Sequence, residues 1–378
     1  MVLMALDHTR DFFTDLRFEP EALAQTYPAL FVTRWVTHLC APAFFLLAGT
    51  GAWFYARSHG PATARRFLLT RGVWLIVLEF TLVGTAWPFQ IPWGFFGVIW
   101  CLGASMLILA AATWLRPTAI LAVSVATIAL HDLLDPVRPA AFGHWAFVWS
   151  ILHVKGGIMI GHTPQFVLFP IIPLAAVMTL GYAIGPIFAR GTDGETKGRN
   201  FLLGAGAAML ATFAVLRFSN IYGNPPAGLG GVSQGDWHPQ PTLAKTIILF
   251  FDVEKYPPSL QYLLMTLGCI CVLLWAADRW PAPHLTHPLL VFGRVPLFFY
   301  VLHLYVIHIL AIVVALIAGQ PYVWLFHGAI FGPEPDAYGY GLPVIYAMWL
   351  LVLALAYWPS VRVAALKRSG RYPWLSYL

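Results

Sequence analysis

The sequence predicts an all-α polytopic integral membrane protein of about ten helices, and three observations carry that prediction. Hydrophobic residues make up 59% of the 378 and charged residues only 10%. Soluble domains carry roughly a quarter charged residues, so an ordinary water-soluble enzyme is excluded. The apolar residues gather in runs near the roughly 20 residues that a helix needs to cross a bilayer. Sixteen tryptophans and 15% aromatic residues suit a chain with two membrane interfaces to anchor.

Taken in order, the runs place helices over 1–13 (partial), 34–56, 67–87, 93–115, 117–133, 165–189, 200–218, 259–277, 288–319 and 341–366. The first run gives about 20 Å of helix against a core of about 30 Å, so this span is expected to lack its N-terminal part. The run at 288–319 is too long for one untilted span, and Pro296 is expected to divide it. Loops 14–33, 134–164, 219–258 and 320–340 are long and rich in Pro, Gly, Trp and His. With no soluble domain, repeat or low-complexity tract, residues 1–378 read as a single domain. Cys40, Cys101, Cys269 and Cys271 all lie in apolar runs, where cysteine behaves as a small hydrophobe, and they form neither a metal pattern nor a disulfide framework.

The net charge of +6 reflects topology rather than nucleic-acid binding, because the basic residues are scattered between spans. Arg57, Arg65, Arg66 and Arg71 lie between the second and third spans, and Arg116 between the fourth and fifth. Arg190, Lys197 and Arg199 follow the sixth, Arg279 the eighth, and Arg362, Lys367, Arg368 and Arg371 the tenth. The opposite loops carry Asp15, Glu19, Glu21, Glu334 and Asp336. The positive-inside rule then puts both termini in the cytoplasm and the four long loops outside.

Ionisable groups within apolar spans are costly and usually functional or paired. The densest set is Asp7-His8-Thr9-Arg10-Asp11. His8 could abstract a proton near neutrality. Asp7 diverges from it on a helix, whereas Asp11, three residues on, could reach its ring. Arg34 and His38 share a helix face ahead of a bend at Pro42. Glu79, midway through the third span, is expected to pair with a basic or hydroxyl group. Tyr300 and His303 share a face, with His308 rotated about 140° from His303. His144, His153 and His162 show no metal-ligand spacing. Arg65, Arg66 and Arg71 could meet nucleotide phosphates or simply set topology. Two other classes remain open. A transporter or flippase of a small amphiphile would use Glu79, His38 and His303 as a buried polar path, and a haem carrier would need histidines facing each other across two helices.

Met1-Val-Leu-Met-Ala-Leu-Asp7-His8-Thr-Arg10-Asp11-Phe-Phe resembles the first-span motif of bacterial relatives of heparan-α-glucosaminide N-acetyltransferase, within a wider transmembrane acyltransferase group. The resemblance continues through Thr37-His38-Leu-Cys-Ala-Pro42-Ala-Phe-Phe-Leu-Leu-Ala-Gly49, Lys255-Tyr-Pro-Pro-Ser-Leu260 and Gly293-Arg294-Val-Pro-Leu-Phe-Phe-Tyr300-Val-Leu-His303. It implies a bacterial inner-membrane enzyme that moves an acetyl group from cytoplasmic acetyl-CoA, a co-substrate, to an extracytoplasmic sugar or glycan. Neither a metal nor a tightly bound cofactor is implied, and a homodimer is admitted. In related polysaccharide O-acyltransferases an arginine stands eleven positions before the catalytic histidine, which from His8 falls before Met1. The expected catalytic set is His8, Asp7 and Asp11. The expected binding set is Arg10, Arg34, His38, Tyr300, His303, Asn220, Arg65, Arg66 and Arg71. Acyl transfer needs a base, donors for the oxyanion and exclusion of water, and no serine-histidine-acid set or G-x-S-x-G elbow offers another route.

Overall fold

A computed structural model describes residues 1–90, 94–189, 194–226, 235–280, 283–327, 335–372 and 374–375. It is mostly helical. In chain order the helices are α1 (Val2–Phe13), α2 (Pro28–Thr37), α3 (Cys40–His59), α4 (Pro61–Leu78), α5 (Gly84–Ala86), α6 (Val98–Ala112), α7 (Pro117–Leu130) and α8 (Ala146–His153). They continue as α9 (Ile171–Ala183), α10 (Gly194–Ser219), α11 (Leu243–Phe251), α12 (Leu260–Arg279), α13 (Pro283–Arg294), α14 (Pro296–Ala318) and α15 (Leu342–Arg368). Three short strands, β1 (Phe95–Phe96), β2 (Gly156–Ile160) and β3 (Thr163–Val167), form a sheet of order β1-β3-β2.

Seven stretches among the described residues are long and apolar enough to cross a membrane: 28–59, 61–86, 117–134, 200–219, 260–279, 296–318 and 342–368. Three of the ten expected runs form shorter helices instead, namely α1, α6 and α9. Proline explains most displaced boundaries. Its missing N–H is no loss at a helix start, so Pro28 and Pro61 open helices six residues ahead of the apolar runs at 34 and 67. The loop expected over 14–33 therefore ends at Tyr27, and Arg65 and Arg66 lie on a helix rather than in a loop. Pro296 does divide the ninth run, ending α13 before α14 begins. The run expected to be helical from 165 opens as β3, paired antiparallel with β2 and parallel with β1. Arg190 and Glu334, used for orientation, lie outside the described residues, as do the side chains of Lys197 and Arg199.

Glycine sets how closely the helices approach. A Cβ at Gly49 would fall on the Met178 carbonyl, and one at Gly181 on that of Leu46, so α3 and α9 meet backbone to backbone, as small residues allow in membrane bundles. Between α4 and α5 the helix passes through a π turn at Glu79–Val83. Glu79, fully buried there, accepts from the Trp100 amide at 2.8 Å. Its observed partner is thus the N-terminal backbone of α6, not the basic or hydroxyl group expected. The four orphan amides of a helix start favour a negative charge at that place.

Candidate active site

Helix α1 packs against α2, α14 and α15, burying Met4, Ala5, Leu6, Phe12 and Phe13. Enclosure of this kind obliges the polar residues of the same helix to find partners within the protein. Arg34 Nη1 donates to both Asp7 oxygens at 2.7 and 2.8 Å. Arg10 Nη2 donates to Asp7 at 3.2 Å and to Asp11 at 2.6 Å. Arg34 Nε donates at 2.8 Å to Glu21 Oε1, which also accepts from His38 Nε2 at 3.1 Å. One relay therefore runs from Asp11 through Arg10, Asp7, Arg34 and Glu21 to His38. Burial alone would raise the Glu21 carboxyl, but the Arg34 charge and the His38 hydrogen bond hold it well below the usual carboxylate range.

His8 stands apart from this relay. Its Nδ1 lies 2.8 Å from His303 Nε2, and His303 Nδ1 lies 2.8 Å from the Phe299 carbonyl. A carbonyl only accepts, so His303 Nδ1 carries the proton in that bond. In neutral His303 the Nε2 is then an acceptor, and His8 Nδ1–H donates to it. This leaves His8 Nε2 with a free lone pair and no hydrogen-bond partner among the described residues. The two ring planes lie within 11° of parallel with centres 5.0 Å apart, edge to edge across that bond, while Trp87 and Tyr300 meet His8 edge-on at 5.2 and 5.9 Å.

A cavity of about 860 Å³ opens in front of these groups, with Asp7, His8, Arg10, Asp11, Arg34 and Tyr300 in its wall. His38 and His303 lie behind that wall, reached through Glu21 and through His8. Eight of the twelve residues expected to act thus gather in one region.

Two expectations are corrected. Asp11 is paired with Arg10, and the ring partner of His8 is His303. Asn220 does not line the cavity. Its side chain donates to the Trp237 carbonyl at 2.8 Å and accepts from the Trp237 amide at 2.9 Å, closing the loop after α10. Arg65, Arg66 and Arg71, expected to meet nucleotide phosphates from the cytoplasmic side, lie away from this cavity. The Arg65 guanidinium lies 3.9 Å from the Trp114 ring centre, and Arg71 lies over Phe67.

The two alternative classes meet specific obstacles. Glu79, His38 and His303 are each bonded separately and none lines the cavity, so they form no continuous polar path along it. His8 and His303 do face each other across two helices, but in a direct hydrogen bond that leaves no gap for a haem iron. Among the described residues no group of three or more His, Cys, Asp or Glu is placed to hold a metal ion.

Glu21, Trp87, Lys155 and Lys255 belong to the site without having been singled out for it. Glu21 lies 13 residues from Arg34 in a loop, beyond any helical spacing. Lys255 stood in the quoted Lys255-Tyr-Pro-Pro-Ser-Leu260 segment, which was the available signal.

Neither a curated protein nor a solved structure matches the chain. The family described as Heparan-alpha-glucosaminide N-acetyltransferase, catalytic, matches residues 1–215. That stretch holds α1, the relay to His38 and all but Tyr300 and His303 of the gathered expected residues. On that match over more than half of its length, the chain belongs to the heparan-alpha-glucosaminide N-acetyltransferase family, a family of membrane acetyltransferases.

Proposed function

We propose that the protein transfers an acetyl group from acetyl-CoA to a hydroxyl or amine of a sugar acceptor, with His8 as general base. The observation that carries this reading is the unpartnered Nε2 of His8 at the cavity wall, held in one tautomer by His303 and the Phe299 carbonyl. In the reaction the acceptor hydroxyl or amine gives its proton to His8 Nε2 as its oxygen or nitrogen attacks the thioester carbonyl. The carbon–sulfur bond then breaks, and the departing thiolate of CoA takes the proton from His8. Tyr300, edge-on to His8, and Arg10 stand in the same cavity wall as candidate donors for the oxyanion. The relay keeps Asp7 ionised and turned away from His8, so the base is oriented by a neutral imidazole.

The basic helix ends support an orientation with the long loops outside, in a bacterial inner membrane, where the acceptor would enter from the loop side. Thiol release from acetyl-CoA by the purified protein, with sugars supplied as acceptors, tests the assignment. His8→Ala is expected to lower turnover roughly 10²–10⁴-fold while CoA still binds. Wild-type turnover in that variant would remove His8 from the chemistry.

A further inference from the structure

The cavity wall carries five basic side chains, Arg10, Arg17, Arg34, Lys155 and Lys255, and they fall into two kinds. Arg10 and Arg34 are held by Asp7, Asp11 and Glu21, and Arg17 donates to the carbonyls of Leu16, Pro335 and Tyr338. Lys155 and Lys255 have no ion pair and no side-chain hydrogen bond among the described residues. Instead both ammonium groups stand over one ring, that of Tyr256, at 5.0 and 5.1 Å from its centre. Lys255 is only 6% exposed and Tyr256 only 8%. Lys255 stands within electrostatic reach of Asp7, Asp11 and Glu21, but those carboxylates are bonded to Arg10 and Arg34 and none bonds to it. Its buried ammonium therefore keeps spare donors, and two like charges about one ring repel.

The backbone fixes this arrangement. Glu254 is the carboxylate nearest in sequence, but its Oε1 accepts from the Tyr256 amide at 2.8 Å, and the Glu254 amide donates to Asn224 at 2.8 Å. Lys155 follows directly after α8 and precedes β2, whose partner β3 contributes Phe166 to the cavity wall. The two lysines thus come from segments a hundred residues apart and converge on one ring inside the cavity. An anion reaching both ammonium groups would accept from their spare donors and relieve their mutual repulsion.

We propose that Lys155, Lys255 and Tyr256 form an anion subsite that grips a phosphate or carboxylate carried by the acceptor sugar, the ring lying beneath the sugar. This assignment rests on the acetyl-transfer reading, which makes the cavity an acceptor site, yet it can be tested by binding alone. The test uses the full chain in detergent, with glucose 6-phosphate and glucose as probes. Wild-type protein is expected to bind the phosphate ester at least about tenfold more tightly, and added salt should erode that preference. The double variant Lys155→Gln/Lys255→Gln should lose the preference, whereas Lys155→Arg/Lys255→Arg should keep it. Equal binding of the two probes by wild type would overturn the proposal even if the glutamine variant failed to fold. Survival of the preference in a folded glutamine variant would overturn it as well. If the glutamine variant instead loses affinity for CoA and not for glucose 6-phosphate, the anion belongs to the donor and the acceptor assignment falls. Thiol release from acetyl-CoA, measured on wild type in parallel, keeps the two readings separate. Its absence would defeat the acetyl-transfer reading while leaving a lysine-dependent phosphate preference intact.

Discussion

Arg217 and Arg34 are both buried in this bundle, and their surroundings differ in kind. Arg217, near the end of α10, is fully buried, and its guanidinium donates to the carbonyls of Gly235, Leu249, Phe250 and Asp252. Its partners are backbone, and it does not line the cavity. Arg34 is almost as buried but sits between two carboxylates at the edge of a cavity, in a relay that ends on one histidine and runs beside another. The contrast shows that a buried charge alone does not mark a site. What distinguishes the Arg34 region is free valence: His8 and two lysines without side-chain hydrogen bonds among the described residues line the cavity, whereas the Arg217 fork is committed to backbone carbonyls of the 219–258 connection.

Removing each arginine should sharpen that distinction. Arg34→Leu leaves Glu21 buried with only the His38 hydrogen bond and Asp7 with Arg10 alone, a loss expected to cost about 3–5 kcal/mol and to abolish turnover. Because the Glu21 carboxyl is held below its ordinary range, its stabilising contribution is present at neutral pH and lost as pH falls into acid. Arg217→Leu should destabilise by a comparable amount, since four buried carbonyls lose their donor, but the folded fraction should keep wild-type kcat. Chemical unfolding in detergent, with activity normalised to folded protein, separates the two. Equal loss of normalised activity in both would break the comparison.

A smaller effect is expected at His303, which acts through His8 as a positioning residue. His303→Leu removes the acceptor that fixes the His8 tautomer, and kcat should fall roughly 10–100-fold with KM little changed. His303→Gln should recover part of the loss, because its amide oxygen can accept from His8 Nδ1. A residue that merely filled space would show the opposite ranking, with leucine the milder change. The smallest effect belongs to Asn220, whose φ of +51° suits asparagine better than alanine. Asn220→Ala is expected to cost about 1–2 kcal/mol of stability and to leave sugar binding unaltered, as a binding titration would show.

The helical framework was legible because apolar length is a strong signal, and the proline rule also foresaw the break at Pro296. Strands β2 and β3 escaped because five residues are too few to establish a period of two. Local spacing brought Asp7, His8, Arg10 and Arg34 into view. It could not pair His8 with His303, 295 residues away, nor bring Glu21 back to Arg34 and His38, because those contacts are made by packing. Asn220 looked available for a ligand because sequence does not reveal that a side-chain amide is already spent on its own loop.

The shortness of α6 and α9 has a further consequence. At 1.5 Å per residue, their 15 and 13 residues reach only about 20 Å along a hydrocarbon layer of about 30 Å. Both begin next to the cavity wall, α6 with Val98 in it and α9 two residues after Phe169. Phe95 of β1 and Phe166 of β3 line the same cavity, so its wall is built where two helices stop about a third short of such a layer. Under the acetyl-transfer reading proposed above, such a gap would shorten the distance between an acceptor in the cavity and a donor on the opposite side.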